Sequence, residues 1–307
     1  MGKTATVRIR DFDLTKTLES GQCFRWERQV DGGYVGVVRE RYVYAFQQGN
    51  SLFLEPVTQR DLDNLWMSYF DLEKDYEAVN RLIKRQAPWM KEALDFGRGI
   101  RILRQEPWET VISFILSSNN HIQRISGIVE TLAHRYGSPL GTFRGKSRYG
   151  FPSVETLKKL TLDDWKACGA GYRSRYLIQA VHQWETCRRS IENQKFDRGF
   201  SPEGADDGHA VRCLLETLPG VGPKVSACIG LFGLGQGNRF PVDVWVRRMV
   251  RELWPQGPDK VADIEAQAEH IFGNHAGYAQ QLLFYYGQKK PKNTVAHRRQ
   301  TEGKDQQ

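Results

Sequence analysis

The sequence predicts an α+β fold that is mostly α, with a small antiparallel sheet first and a long helical region after it. One change in apolar spacing and one glycine-containing turn carry that expectation. Up to about Pro56 apolar and polar residues alternate with a period of two, as in a half-buried strand. From Arg60 onward apolar residues recur every three or four positions, as on one face of a helix. The turn, Leu218 to Lys224, separates two of the helical runs.

The strand region opens with Val7 and Ile9 set against Arg8 and Arg10, followed by runs at Tyr34 to Val38, Tyr42 to Phe46 and Leu52 to Leu54. Asp31-Gly32-Gly33 and Gly49-Asn50 stand between runs, and such residues reach the positive φ angles of tight hairpins. In the helical region Leu62, Leu65, Trp66 and Tyr69 share a helix face, as do Val111, Phe114 and Ile115. Further helices are predicted near 121–136, 154–167, 172–192, 208–217, 224–234, 243–254, 260–272 and 276–286. The stretch from Lys289 to Gln307 holds six basic and two acidic residues with almost nothing apolar, which predicts a disordered basic tail over 289–307. The expected division is a sheet domain with flanking helices over 1–100 and a helical domain over 101–288.

A chain of 307 residues with 40% hydrophobic composition can fill two packed domains or one large one. Lys and Arg total 44 against 36 Asp and Glu, a formal net charge of +8, so a polyanionic partner is expected: nucleic acid or an anionic membrane surface. The sequence shows neither an apolar run of spanning length nor a charged-then-apolar leader, and the expectation is a soluble protein of a prokaryotic cytoplasm or a nucleus. Cys23, Cys168, Cys187, Cys213 and Cys228 form no CxxC pair and are odd in number, so they read as reduced thiols. That spacing excludes a cysteine-ligated zinc site or iron–sulfur cluster, and no metal held by side chains is expected.

Leu218-Pro219-Gly220-Val221-Gly222-Pro223-Lys224 is a helix-hairpin-helix signature. Gly220 and Gly222 permit a tight turn with outward amides, and Pro223 sits where a helix tolerates a missing donor. Such a nest accepts a phosphate and grips a DNA backbone without reading sequence. Leu-Pro-Gly turns also join helices in proteins that bind nothing, so the hairpin alone leaves both readings open. Lys224 follows it, and Asp243 stands nineteen positions later in Phe240-Pro241-Val242-Asp243-Val244-Trp245, each at a predicted helix start. A helix N-terminus and burial both disfavour an ammonium, so Lys224 is a candidate neutral amine nucleophile for the sugar carbon C1′. Asp243, expected to stay ionised beside the helix dipole, is the candidate base and stabiliser of positive charge on the sugar. The competing structural reading is a surface lysine and an ordinary N-terminal aspartate.

These residues resemble the helix-hairpin-helix DNA glycosylase superfamily, and within it the 8-oxoguanine DNA glycosylases of the eukaryotic type. The likeness runs from about Val7 to Gln288 through Ser20-Gly21-Gln22-Cys23-Phe24-Arg25-Trp26, Leu116-Ser117-Ser118-Asn119-Asn120, Gly171-Tyr172-Arg173, the hairpin, and Tyr278-Ala279-Gln280-Gln281-Leu282-Leu283-Phe284. The resemblance implies a twisted antiparallel β domain followed by two helical subdomains around a cleft, with the helix-hairpin-helix at about 208–234. It implies a monomeric, bifunctional glycosylase and lyase that flips 8-oxoguanine out of double-stranded DNA, preferably opposite cytosine, and cuts the strand by β-elimination. Lys224 is then the Schiff-base nucleophile and Asp243 the catalytic carboxylate. The Gly21 carbonyl would accept from the N7 hydrogen that guanine lacks, Gln280 would hold the Watson–Crick edge, and Cys228 and Phe284 would sandwich the ring. Asn119, Arg124, Tyr172 and Arg173 would fill the vacated space and read the orphaned cytosine. Hairpin carbonyls would hold a monovalent cation.

Two positions depart from the family pattern. Trp245 stands where eukaryotic members often have histidine, which puts a phosphate contact in doubt, and His121 stands where a third asparagine is familiar. Three alternatives remain at this point: an alkylated-base glycosylase working with the aspartate alone, which Lys224 opposes; a non-catalytic DNA-binding module; and an adenine- or pyrimidine-specific relative, whose usual four-cysteine cluster this chain lacks.

Overall fold

The computed structural model describes residues 3–197 and 206–291. Five strands, β1 (Ala5–Arg8), β2 (Trp26–Arg28), β3 (Tyr34–Val38), β4 (Arg41–Gln48) and β5 (Ser51–Glu55), form one antiparallel sheet in the order β1-β5-β4-β3-β2. The alternation read in the sequence is the pleat itself: in β4 and β5, Val43, Ala45, Leu52 and Leu54 point inward and are fully buried. They pack on Leu14 and Leu18 of a short helix, α1 (Leu14–Glu19), and on Trp66 and Phe70. Helix α1 and strand β2 lie in the stretch between the predicted first and second strands, where no element was expected.

After the sheet come α2 (Gln59–Asp61), a π-helical turn (Leu62–Trp66), α3 (Met67–Tyr69), α4 (Tyr76–Gln86) and α5 (Lys91–Gly97). The helical region continues through α6 (Pro107–Ser117), α7 (Ile122–Tyr136), α8 (Val154–Leu157), α9 (Leu162–Ala167), α10 (Ser174–Asp197), α11 (Asp206–Glu216) and α12 (Pro223–Leu234). It closes with α13 (Val244–Leu253), α14 (Val261–Phe272) and α15 (Ala276–Lys289). The run predicted over 154–167 is two short helices, because Ser153 and Thr161 each cap a separate N-terminus with a side-chain oxygen. The segment between α7 and α8 is a hairpin, β6 (Pro139–Phe143) and β7 (Lys146–Tyr149), that sequence reasoning did not anticipate.

Two helical cores flank the sheet. One gathers α6, α7, α10 and α12 around Trp165, Trp184 and Phe114. The other gathers α13, α14 and α15 with α4 and α5, so residues 76–100, grouped with the sheet on sequence grounds, share the core of the C-terminal helices. Helix α15 continues through Lys289, the first residue of the predicted tail, and Lys290 pairs with Glu252; positions 292–307 lie outside the described residues.

Buried arginines join these units. The Arg101 guanidinium donates to the carbonyls of Arg10, Asp71 and Lys74, satisfying main chain that no strand or helix pairs. Arg25, at the start of β2, donates to the Tyr149 carbonyl of β7 and lies 3.8 Å from Glu109 of α6 and 3.4 Å from Glu130 of α7. Burial pushes the Glu109 carboxyl up to about 7, with Arg25 opposing the shift and Glu130 and Glu106 adding to it.

A carboxyl whose proton affinity rises on folding adds stability while protonated in both states and loses it as pH climbs through its folded value. Stability should therefore fall between pH 4.5 and 7.5, by roughly 3 kcal/mol at most from this one group. Urea unfolding of the wild type and Glu109→Gln across that range is the check. The variant should show a flatter profile; identical slopes would remove Glu109 as the cause.

Candidate active site

Two helix N-termini meet where the two helical cores adjoin. Helix α12 starts at Pro223 with Gly222 as its N-cap, so Lys224 lies in its first turn, half-buried. Asp243 is the N-cap of α13 rather than a residue inside it, and one carboxylate oxygen accepts from the amides of Trp245 (3.0 Å) and Val246 (2.8 Å). Burial raises the Asp243 carboxyl above the ordinary aspartate range, and the Val246 amide, the Lys224 charge and the Trp245 amide offset this only in part. The aspartate is thus a stronger base than the helix dipole alone would leave it. Cys228, one turn along α12, is buried; burial pushes its thiol up against the pull of the Lys224 charge, with Asp243 also acting on it. Lys224, Cys228 and Asp243 therefore form one cluster, and the Lys224 nitrogen stands 5.6 Å over the Phe114 ring.

The hairpin before α12 is set by one glycine with a backbone requirement and one with open space. Gly220 has φ +83°, and a β-carbon there would meet Tyr176 at 2.9 Å and Ile115 at 3.2 Å. Gly222 is extended and exposed, with nothing within 4 Å of the missing β-carbon. Among the described residues the main-chain amides of Gly222, Lys224 and Val225 donate to no acceptor, which leaves an anion nest.

The Ser20–Gln22 loop packs against α15. Gln281 of α15 donates to the Ser20 carbonyl (2.6 Å), and Gln105 donates to the Gln22 carbonyl (2.7 Å). The Gln22 side chain bonds the carbonyls of Thr17 and Arg101 and the Leu103 amide, which fixes the loop from two segments. Between these two satisfied carbonyls, that of Gly21 accepts no hydrogen bond among the described residues. Gly21 has φ +77°, and its missing β-carbon would touch Phe284 at 2.9 Å and Ile122 at 3.1 Å. Gln280, one turn before Phe284 on α15, is 5% exposed, and its Oε1 has no partner. Gln22, Gln281 and Ile122 thus support the site without having been given a role from sequence; the two glutamines lie inside the motifs that carried the resemblance.

The remaining predicted residues gather at the turn after α6. Asn119 adopts φ +50°, and Tyr172 is 61% exposed beside it. Arg173 is 4% exposed, and its guanidinium donates to the carbonyls of Ser118 and Asn119 while lying 4.5 Å over the Tyr172 ring. Here it holds the turn that presents Asn119. Arg124 is exposed in the first turn of α7, two residues from Ile122. The five cysteines are all free thiols, and no group of three or more metal-ligating side chains exists among the described residues. No described helix is long and apolar enough to cross a membrane.

Residues 5–111 match the 8-oxoguanine DNA glycosylase N-terminal domain, and residues 112–273 match the HhH-GPD superfamily base excision DNA repair protein model. A probable N-glycosylase/DNA lyase of Methanothermobacter thermautotrophicus is 30% identical over 92% of this chain and 96% of its own. The N-glycosylase/DNA lyase of Saccharomyces cerevisiae is 30% identical over 92% of this chain and 85% of its own. The Clostridium acetobutylicum 8-oxoguanine glycosylase/lyase, solved with double-stranded DNA containing cytosine opposite 8-oxoguanine, superposes with a TM-score of 0.85 at 34% identity, over 93% of this chain and 95% of that one. The chain belongs to the HhH-GPD superfamily of base excision DNA repair proteins and, within it, to the 8-oxoguanine DNA glycosylase family of N-glycosylase/DNA lyases.

Proposed function

We propose that this enzyme extrudes 8-oxoguanine from double-stranded DNA and excises it through a Schiff base on Lys224, with preference for a lesion opposite cytosine. The observation that carries the reading is a pair of unpartnered acceptors flanking Phe284: the Gly21 carbonyl and Gln280 Oε1. An unpaired acceptor in a buried site costs about 1–3 kcal/mol, so such a site favours a ligand that donates to it. 8-Oxoguanine carries a hydrogen on N7, where guanine presents a lone pair to the Gly21 carbonyl. Gln280 meets the Watson–Crick edge, and Cys228 and Phe284 cover the two faces of the ring.

In the chemical step Asp243 takes a proton from Lys224. The Lys224 nitrogen bonds to C1′ as the glycosidic bond breaks, and the base leaves with the bonding electrons. The sugar ring opens to an imine, which acidifies the C2′ hydrogen; loss of that proton expels the 3′ phosphate, and water then releases the lysine. The α12 amide nest grips the phosphodiester backbone, and Asn119, Arg124 and Tyr172 occupy the space beside the orphaned cytosine, with Arg173 positioning Asn119. The carbonyls of Thr217, Gly220 and Val221 accept nothing among the described residues; they would hold a monovalent cation, whose charge would favour binding of an anionic backbone. The enzyme acts as a monomer on chromosomal DNA, in a prokaryotic cytoplasm or a nucleus.

Single-turnover excision from an 8-oxoguanine duplex should be lost in Lys224→Gln while duplex affinity persists; full excision by that variant would refute the nucleophile. Asp243→Asn should slow excision by at least about a hundredfold, the scale of a lost general base. Because Asp243 acts ionised and its carboxyl is raised, the wild-type rate should fall on acidification at a higher pH than an ordinary aspartate would give, a limb absent from Asp243→Asn. Excision from duplexes differing only in the base opposite the lesion tests partner choice. Cytosine should be preferred, and Arg124→Ala should narrow the preference; equal rates opposite all four bases would contradict it.

A further inference from the structure

The outward face of α13 begins beside the proposed catalytic carboxylate. Val244, adjacent to Asp243, is 78% exposed. One helical turn further on the same face stands Arg248, also exposed. Val244, Arg247, Arg248, Arg251 and Glu252 line one shallow depression. Most of its charges are already matched: Arg247 and Arg251 both donate to Asp259, and Glu252 is paired with Lys290. Arg248 has no acidic partner among the described residues.

Helical side chains lean toward the N-terminus, which directs Arg248 back over Val244 toward Asp243. Five residues of helix place its Cα roughly 7 Å along the axis from Asp243, within the reach of an arginine side chain. Trp245, two residues after Asp243, carries no charge and gives its amide to the carboxylate. We propose that Arg248 binds a phosphate of the lesion-bearing strand next to the extruded nucleotide, supplying from one turn further along α13 the cation that position 245 lacks. This rests on the function proposed above. The planar guanidinium suits two phosphate oxygens at once, and Val244 packs on the sugar edge beside them.

Affinity for an 8-oxoguanine duplex, measured from 50 to 200 mM NaCl, is the test, with Arg248→Ala, Arg248→Lys and the distant exposed Arg81→Ala compared with wild type. Losing one phosphate contact reduces the slope of log affinity against log salt by about 0.9. Arg248→Ala should bind about tenfold more weakly at 50 mM, narrowing to about threefold at 200 mM, with a larger deficit in affinity than in single-turnover rate at saturating enzyme. Arg248→Lys should keep the wild-type slope. Arg248→Ala behaving as Arg81→Ala, or losing rate with an unaltered slope, would overturn the contact. A wild-type protein that excises the lesion while Arg248→Ala binds normally would sink this inference alone, whereas a wild-type protein without affinity for the duplex would sink the proposed function with it.

Discussion

The site depends on the convergence of two helix N-termini, each of which places one reactive side chain. Gly222 and Pro223 open α12 so that Lys224 falls in its first turn, and Asp243 ends the preceding loop by capping α13. The same carboxylate oxygen that terminates the loop is thereby oriented by two amides, 3.0 and 2.8 Å away, and needs no further side chain to hold it. Burial raises that carboxyl while the amides keep it accepting, so a structural cap doubles as the proposed proton acceptor. Moving either helix start by one residue would rotate its side chain by about 100°, out of the cluster.

A second constraint fixes the Ser20–Gln22 loop. The Ser20–Gln22 loop is tied to α15 by Gln281 and to the 101–105 segment by Gln22 and Gln105. These bonds use the carbonyls on either side of Gly21 and leave its own oxygen unused, so the acceptor is positioned by its neighbours' satisfaction. The missing side chain is part of the same arrangement, since a β-carbon at Gly21 would collide with Phe284, the proposed stacking partner. Rigid support of a lone acceptor serves the proposed discrimination, because a flexible carbonyl would turn away from the lone pair of guanine and forfeit the penalty.

Much of this was legible in the residues. Strands β3 to β5 follow from alternation plus glycine turns, and turn chemistry and helix starts give the placement of Gly220 in the hairpin and of Lys224 and Asp243 at two helix N-termini. The β6–β7 hairpin was missed because its strands are largely exposed and its charged residues, Arg144 in the turn and Lys146 and Arg148 on β7, have their partners Asp31 and Glu27 in the sheet domain, far away in sequence. Helix α1 has only six residues, too few for periodicity to register, and its Asp13 cap is the signal that would have found it. The placement of α4 and α5 with the C-terminal helices is a tertiary choice made by contacts such as Tyr76 with Tyr278, which no local pattern encodes. No local pattern shows that Arg173 is buried, since what buries it is the carbonyls of a turn that Asn119 enters at positive φ.

The chemistry proposed for Lys224 is most directly tested by reducing the reaction with borohydride and mapping the protein peptide that carries the sugar remnant. A single adduct on the α12 peptide, with the mass added at Lys224, is the expected result. An adduct on another lysine or on the N-terminal amine, or excision with no covalent product at all, would contradict it.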